Sequence, residues 1–270
     1  MTGAGVKTFA IFLVIFLFAG ISPVSGRPVT LVAIGDSISL GSTTTGLISP
    51  GLNSLISVFG YHTTIHKVTI KPYTSYLQAM MPNARIINVG IGNEQTGHMR
   101  ARFPHDVLDQ NPDYAIIQGG FNDIWYGTPV NETEDNLRSM YEMAQNNKVV
   151  PVATTVFYAN SPGLSPEQEQ QITELNQWIL QYASDHGIPV AAFNRSFEDP
   201  SIPLRSRKEL ISLDGVHPNA QGYKAMAGIV YAIINPKSVK TSTNPFPFMT
   251  KPLIIKNPFF TGPETVDISG

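Results

Sequence analysis

Five short apolar, β-branched runs, separated by stretches of helical character, constrain this chain more than any other feature. The runs are residues 29–34, 85–90, 113–118, 149–157 and 188–193. Apolar runs of this length bounded by turn signals read as buried strands. The first three stop at glycine: Gly35, Gly90 and Gly119-Gly120. Between them lie helical segments at 73–81, 97–108, 128–147, 165–184 and 219–234. Met99, Phe103 and Val107 recur at helical spacing, and Ser165 stands ahead of Glu167 and Glu169 as a helix start. Parallel strands need long crossover connections, usually helical. Alternation of this kind therefore predicts an α/β three-layer sandwich, with a flavodoxin-like five-stranded parallel sheet covered on both faces.

A parallel sheet opens its strand-to-helix loops on one edge, and ligands bind there. The loops on that edge are polar beyond what a turn requires. Gly35-Asp36-Ser37 follows the first strand, and Gly90-Ile91-Gly92-Asn93-Glu94-Gln95-Thr96 the second. Gly119-Gly120-Phe121-Asn122-Asp123 follows the third, and Asp214-Gly215-Val216-His217-Pro218 precedes the last helix. Their chemistry is complementary. A serine hydroxyl needs a base within hydrogen-bond reach to act as a nucleophile. His217 can accept the Ser37 proton and return it later. Asp214, three residues earlier, can orient that imidazole and stabilise its charged form. Attack on an ester creates an oxyanion that needs preset donors. The candidates are the Ser37 N–H, a backbone N–H at Gly92 or Asn93, and the Asn122 side-chain amide.

At these residues the chain resembles the GDSL or SGNH hydrolases, over most of residues 29–234 and in the family's block order. Gly35-Asp36-Ser37-Ile38 is the first block, with Ile where Leu is usual. Gly120-Phe121-Asn122-Asp123 and Asp214-Gly215-Val216-His217-Pro218 match the third and fifth. The second departs from Gly-Ile-Ser-Gly followed by a polar residue and Thr. Alignment through Arg102-Phe103 puts Gly92 at the serine position and Asn93 at the oxyanion glycine. The spacing of Ala101-Arg102-Phe103, Asp106-Val107-Leu108 and Pro112-Asp113 looks like the lysophospholipase, thioesterase and carboxylesterase branch. The resemblance implies a serine esterase acting through an acyl-enzyme on lipid, small acyl or glycan esters, without metal or organic cofactor. A glycan O-acetylesterase would use the same machinery. A secreted binding protein on the same scaffold is the non-catalytic alternative.

Composition closes off other chemistries. Within these 270 residues there is no cysteine, which excludes disulfides, thiolate metal sites and a cysteine nucleophile. With 18 basic and 20 acidic residues and no basic stripe, nucleic-acid binding has no electrostatic footprint. Residues 1–26 read as a secretory signal: Lys7, then thirteen uncharged residues (9–21), then Val24-Ser25-Gly26. Thirteen is short of the ~20 residues a spanning helix needs, so no stable membrane span is expected after cleavage. The hydrolase domain is then 27–236. Residues 237–270 form a Pro/Phe-rich extension carrying Phe246, Phe248, Phe259 and Phe260.

The remaining polar and aromatic residues carry blander readings. Asp36 is expected to hydrogen-bond within its turn, and Asp123 to brace its loop. His62 and His66 fall in a strand-like insertion (58–70) without a carboxylate motif, and His98, His105 and His186 look like surface or helix-end residues. Trp125 and Tyr126, just after Asn122, could line a substrate pocket or form a half-buried aromatic pair. Asn131-Glu132-Thr133 and Asn194-Arg195-Ser196 are glycosylation sequons.

Overall fold

The computed structural model describes residues 27–42, 70–161 and 163–235. The expected signal, the 58–69 part of the insertion and the extension after Asn235 lie outside them. Its centre is β1 (Thr30–Ile34), which is buried along its whole length. Such a strand must face core on both sides, and its residues alternate accordingly. Leu31 and Ala33 pack toward α2 (Tyr73–Met80) and α8 (Ala220–Ile234), with Tyr73, Leu77, Tyr223 and Met226. Val32 and Ile34 pack on the other face, among Met99 and Phe103 of α3 (Thr96–Asp106), Leu137 and Met140 of α5 (Val130–Asn146), and Leu175 and Ile179 of α6 (Pro166–Asp185). β2 (Arg85–Asn88) and β3 (Tyr114–Ile117) flank β1, followed by β4 (Val150–Thr154) and β5 (Val190–Ala191). All pairings are parallel, and the order β2-β1-β3-β4-β5 is the flavodoxin-like order.

Three elements differ from the sequence expectation. The fourth strand ends at Thr154 rather than residue 157. Thr155 N still donates to Ala191 O of β5 at 3.2 Å, but from Val156 the backbone is held by a side chain: Asn176 of α6 accepts from Val156 N at 2.7 Å and donates to Val156 O at 2.7 Å. The fifth strand shrinks to two residues, because the chain turns into α7 (Phe193–Phe197). That turn buries Phe193 against Tyr73 and stacks Phe197 on Phe157 at 4.6 Å. The short β5 also explains Pro151 in an inner strand. β5 pairs only with Ala153 and Thr154, so no ladder partner is missed where proline lacks its N–H.

The third difference is α4 (Phe121–Tyr126), a short helix where the sequence suggests only a loop. Glycines in the left-handed region bound it, Gly120 at φ 108° and Gly127 at φ 81°. Asn and Asp are weak helix formers, so propensity does not reveal it. Burial of Phe121 and Ile124 on the α6 side of the sheet holds it in place. It positions Asn122.

Candidate active site

The turn that carries Ser37 is built by exclusion. At Gly35 an added Cβ would lie 2.3 Å from Ser39 Oγ and 2.7 Å from the Gln118 carbonyl, so a larger residue would push the Ser37 turn away from the end of β3. Asp36 then caps α1 (Ser37–Leu40), its carboxylate accepting from Ile38 N at 2.8 Å and Gln118 Nε2 at 3.3 Å. Asp36 is fully buried, and burial pushes its carboxyl up to about 6 against the opposing pull of those two hydrogen bonds. It holds the turn together. Ser37, the first residue of α1, stands at the carboxyl edge of the central strand, partly open to solvent.

The partner loop is equally constrained. Ser212 N donates to His217 O at 2.8 Å, and Gly215 N to Ser212 O at 3.0 Å, closing a tight loop. Gly215 has φ 74°, and a Cβ there would meet the Asn160 and Ser161 backbone at 2.9 Å. Pro218 bridges back to Ile211, and Asn219 caps α8. Within the loop Asp214 Oδ1 accepts from Ser212 Oγ, Val216 N and His217 N at 2.8, 2.8 and 2.9 Å. Its Oδ2 lies 2.8 Å from His217 Nδ1. Burial works against charge on Asp214, but the His217 ring bond and the backbone N–H groups outweigh it and hold the carboxyl well below its usual range. An ionised Asp214 accepts only, so Nδ1 carries the ring proton and Nε2 is left as acceptor. Ser37 Oγ lies 2.8 Å from that Nε2. The two residues are 180 positions apart in the chain. Ser37, His217 and Asp214 thus form one hydrogen-bonded relay able to take a proton from a hydroxyl.

The other candidate oxyanion groups lie in the segments that follow β2 and β3 on the same edge of the sheet. Asn122 is buried, and its Nδ2 donates to Glu94 O at 3.1 Å, which uses one of its two amide hydrogens. Asp123 beside it accepts from Thr96 N and Thr96 Oγ1, tying α4 to the start of α3. The intervening turn exposes Gly92 and Asn93. Asn93 has φ 68°, the left-handed conformation that glycine favours and that asparagine tolerates better than most residues. Asparagine is thus suited to a position where the resemblance expects glycine. Neither N–H of Gly92 nor of Asn93 bonds to the described residues. That turn sits against the segment that carries Ser37: Ile91 N donates to Gly35 O at 2.9 Å, and Leu40 Cδ2 is 3.7 Å from where a Gly92 Cβ would stand.

Tyr126 is exposed and donates its hydroxyl to Asn93 Oδ1 at 2.6 Å, so it reaches the same turn. Trp125 is half-buried, with one face stacked on Phe121 at 6.0 Å and an edge beside Gly163. His98, His105 and His186 are exposed and away from the relay, and His62 and His66 lie outside the described residues. Among the described residues no group of three His, Asp or Glu is placed to hold a metal ion. Sequence reasoning missed Gln118, which braces Asp36, and the ion pair of Glu94 with Arg102. The i, i+4 spacing of Arg102 and Asp106 signals only the ion pair those two make on their own helix, at 2.8 Å, and does not point to Glu94.

A flavodoxin-like sheet with a Ser–His–Asp relay at its carboxyl edge defines a class, serine hydrolases built on a flavodoxin-like three-layer fold. Residues 33–225 match the GDSL-like Lipase/Acylhydrolase family, and the chain belongs to that family of ester-hydrolysing enzymes. It is 25% identical over 163 residues to an acetylxylan esterase of Geobacillus stearothermophilus, covering 56% of this chain and 73% of that one. It is 35% identical over 79 residues to a lipoprotein of Bacillus subtilis (strain 168), covering 27% of this chain and 32% of the relative. The fold is similar to that of a G-D-S-L family protein from Desulfitobacterium hafniense DCB-2, with TM-score 0.59, 22% identity, and 76% and 98% of the two chains covered.

Proposed function

We propose that this chain is a secreted serine esterase that cleaves carboxyl esters through an acyl-enzyme. The observation that carries the reading is the relay itself, two 2.8 Å contacts joining Ser37 Oγ to His217 and His217 to Asp214. Ser37 Oγ attacks the ester carbonyl carbon while its proton passes to His217 Nε2. The carbonyl oxygen, now negative, is received by the Ser37 N–H, a Gly92–Asn93 N–H and the free hydrogen of Asn122. The intermediate collapses, Nε2 returns the proton to the departing alcohol, and water then repeats the sequence on the acyl-enzyme. Asp214 stabilises the imidazolium throughout.

Leu40, Ile91 and Tyr126 are exposed around the Gly92–Asn93 turn, an apolar border that favours esters with an apolar acyl group. The acetylxylan esterase relative supports a second reading, removal of acetyl groups from a glycan. Residues 1–26 act as the export signal, 27–236 as the hydrolase domain and 237–270 as an extension, and the lipoprotein relative fits an extracytoplasmic setting. Among the described residues no helix is long and apolar enough to cross a membrane.

A fluorophosphonate probe should label the protein stoichiometrically, with the added mass on the Ser37 peptide. A panel of p-nitrophenyl esters of two to sixteen carbons then separates the substrates. An optimum above four carbons supports the apolar acyl group, whereas a sharp preference for acetyl supports the glycan reading. Labelling elsewhere, or none on folded protein, sinks the mechanism. Replacing Asn122 by Ala should lower kcat about 10²–10³-fold with KM little changed, the cost typical of one oxyanion donor.

A further inference from the structure

We propose that Glu94 and Arg102 are positioning residues for the Asn122 amide, an inference that rests on the reading of Asn122 as an oxyanion donor. After β2 the chain exposes Gly92 and Asn93 and then buries Glu94. A buried carboxylate needs a partner. Arg102, eight residues on and in α3, supplies it with a two-pronged grip. Its Nε lies 2.8 and 3.1 Å from the two carboxylate oxygens, and its terminal nitrogen 2.5 Å from one of them. The Arg102 side chain is 16% exposed and that of Glu94 7%. The same Glu94 residue offers its main-chain oxygen to Asn122 Nδ2 at 3.1 Å. One residue therefore connects a rigid guanidinium on one side to the amide on the other.

The pair is poorly suited to be a stability device. Desolvating two charges offsets most of their attraction, and apolar residues of similar volume would stabilise the fold as well. A planar guanidinium gripping both oxygens of a carboxylate does, however, permit one geometry. Glu94 O is held in one place, and the acceptor it presents sets the rotation of the Asn122 amide. The second amide hydrogen is then aimed before substrate arrives, as oxyanion stabilisation requires. Arg102 also grips Asp106 Oδ2 at 2.8 Å through its other terminal nitrogen, on its own helix and apart from the Nε and nitrogen that hold Glu94. That second grip provides a control on the same guanidinium.

The test compares kcat and KM for p-nitrophenyl acetate in the unaltered protein, Glu94→Gln, Arg102→Lys, Arg102→Met and Asp106→Asn. It adds Glu94→Gln in an Asn122→Ala background. Glu94→Gln and Arg102→Met should lower kcat about ten- to hundredfold with KM within about threefold, the pattern of an interaction realised in the transition state. Arg102→Lys should recover part of the loss, and Asp106→Asn should stay within about twofold. Without the Asn122 amide, Glu94→Gln should cost no more than about twofold, since coupled residues are not additive. An equal loss in both backgrounds, or a loss in Asp106→Asn matching that in Arg102→Met, overturns the proposal. If Arg102→Met does not fold, the near-isosteric Glu94→Gln and the charge-retaining Arg102→Lys decide, and unchanged kcat in either overturns it. An unaltered protein with neither turnover nor Ser37 labelling defeats the esterase reading instead.

Discussion

Replacing Ser37 by Ala should reduce kcat toward p-nitrophenyl acetate by on the order of 10⁴–10⁶-fold, leaving only the background that binding and oxyanion donors supply. The size follows from the relay. His217 Nε2 and Asp214 serve one proton, and with no hydroxyl at residue 37 they have none to move. The fold should be indifferent. Ser37 is partly exposed, its Oγ contributes one hydrogen bond, and the turn is held by the Asp36 cap and the close packing of Gly35 on Ser39 and Gln118, neither of which needs the Ser37 hydroxyl. Melting temperature and near-UV circular dichroism should therefore match the unaltered protein. Residual kcat within about a hundredfold, at unchanged structure, would assign the nucleophile to another group.

Asp214→Asn should be nearly as severe, about 10⁴-fold in kcat. The amide oxygen can still accept from Ser212, Val216 and His217 N, so the loop should keep its shape. Its nitrogen, however, would face His217 Nδ1 as a donor and force the proton onto Nε2, where it blocks acceptance from Ser37. The same substitution has a pH signature. Asp214 is held below its ordinary pKa in the folded chain, so between the two values the unfolded chain binds more protons. Its contribution to stability is present above the ordinary aspartate pKa and is lost as pH falls through that value toward the folded one. The difference in melting temperature between the unaltered protein and Asp214→Asn should thus be largest at neutral pH and shrink on acidification. Asp36 has the opposite sign. Its carboxyl is raised to about 6, so its contribution is present below its unfolded value and lost as pH rises through about 6. A gap that widens with acid would contradict the ionised state assigned to Asp214.

The sheet was legible because its signals are local. β1, β2 and β3 are apolar runs stopped by glycine, α6 carries its capping box at Ser165 and Gln168, and α8 follows the Asn219 cap. Each is written within a dozen residues, where periodicity and turn chemistry operate. The polar loops at the strand ends were legible for the same reason, and parallel topology alone put them on one edge. α4 was not legible, because its residues favour turns and only burial of Phe121 and Ile124 makes them helical. β5 was overestimated because its apolar run serves a strand and then α7, and the division depends on where Phe193 and Phe197 find partners.

By itself the sequence determined the layer architecture, the turn that presents Ser37 and the three-residue spacing that lets Asp214 reach His217, since all of these arise from neighbours along the chain. The tertiary structure alone decided that Ser37 and His217 meet at 2.8 Å across 180 residues. It also decided that Tyr126 reaches Asn93, that Gln118 braces Asp36, and that Glu94 joins Arg102 to the Asn122 amide. Those contacts depend on the register of strands and the seating of helices, which the whole core sets at once, and no short stretch of residues encodes a distance between two others far along the chain.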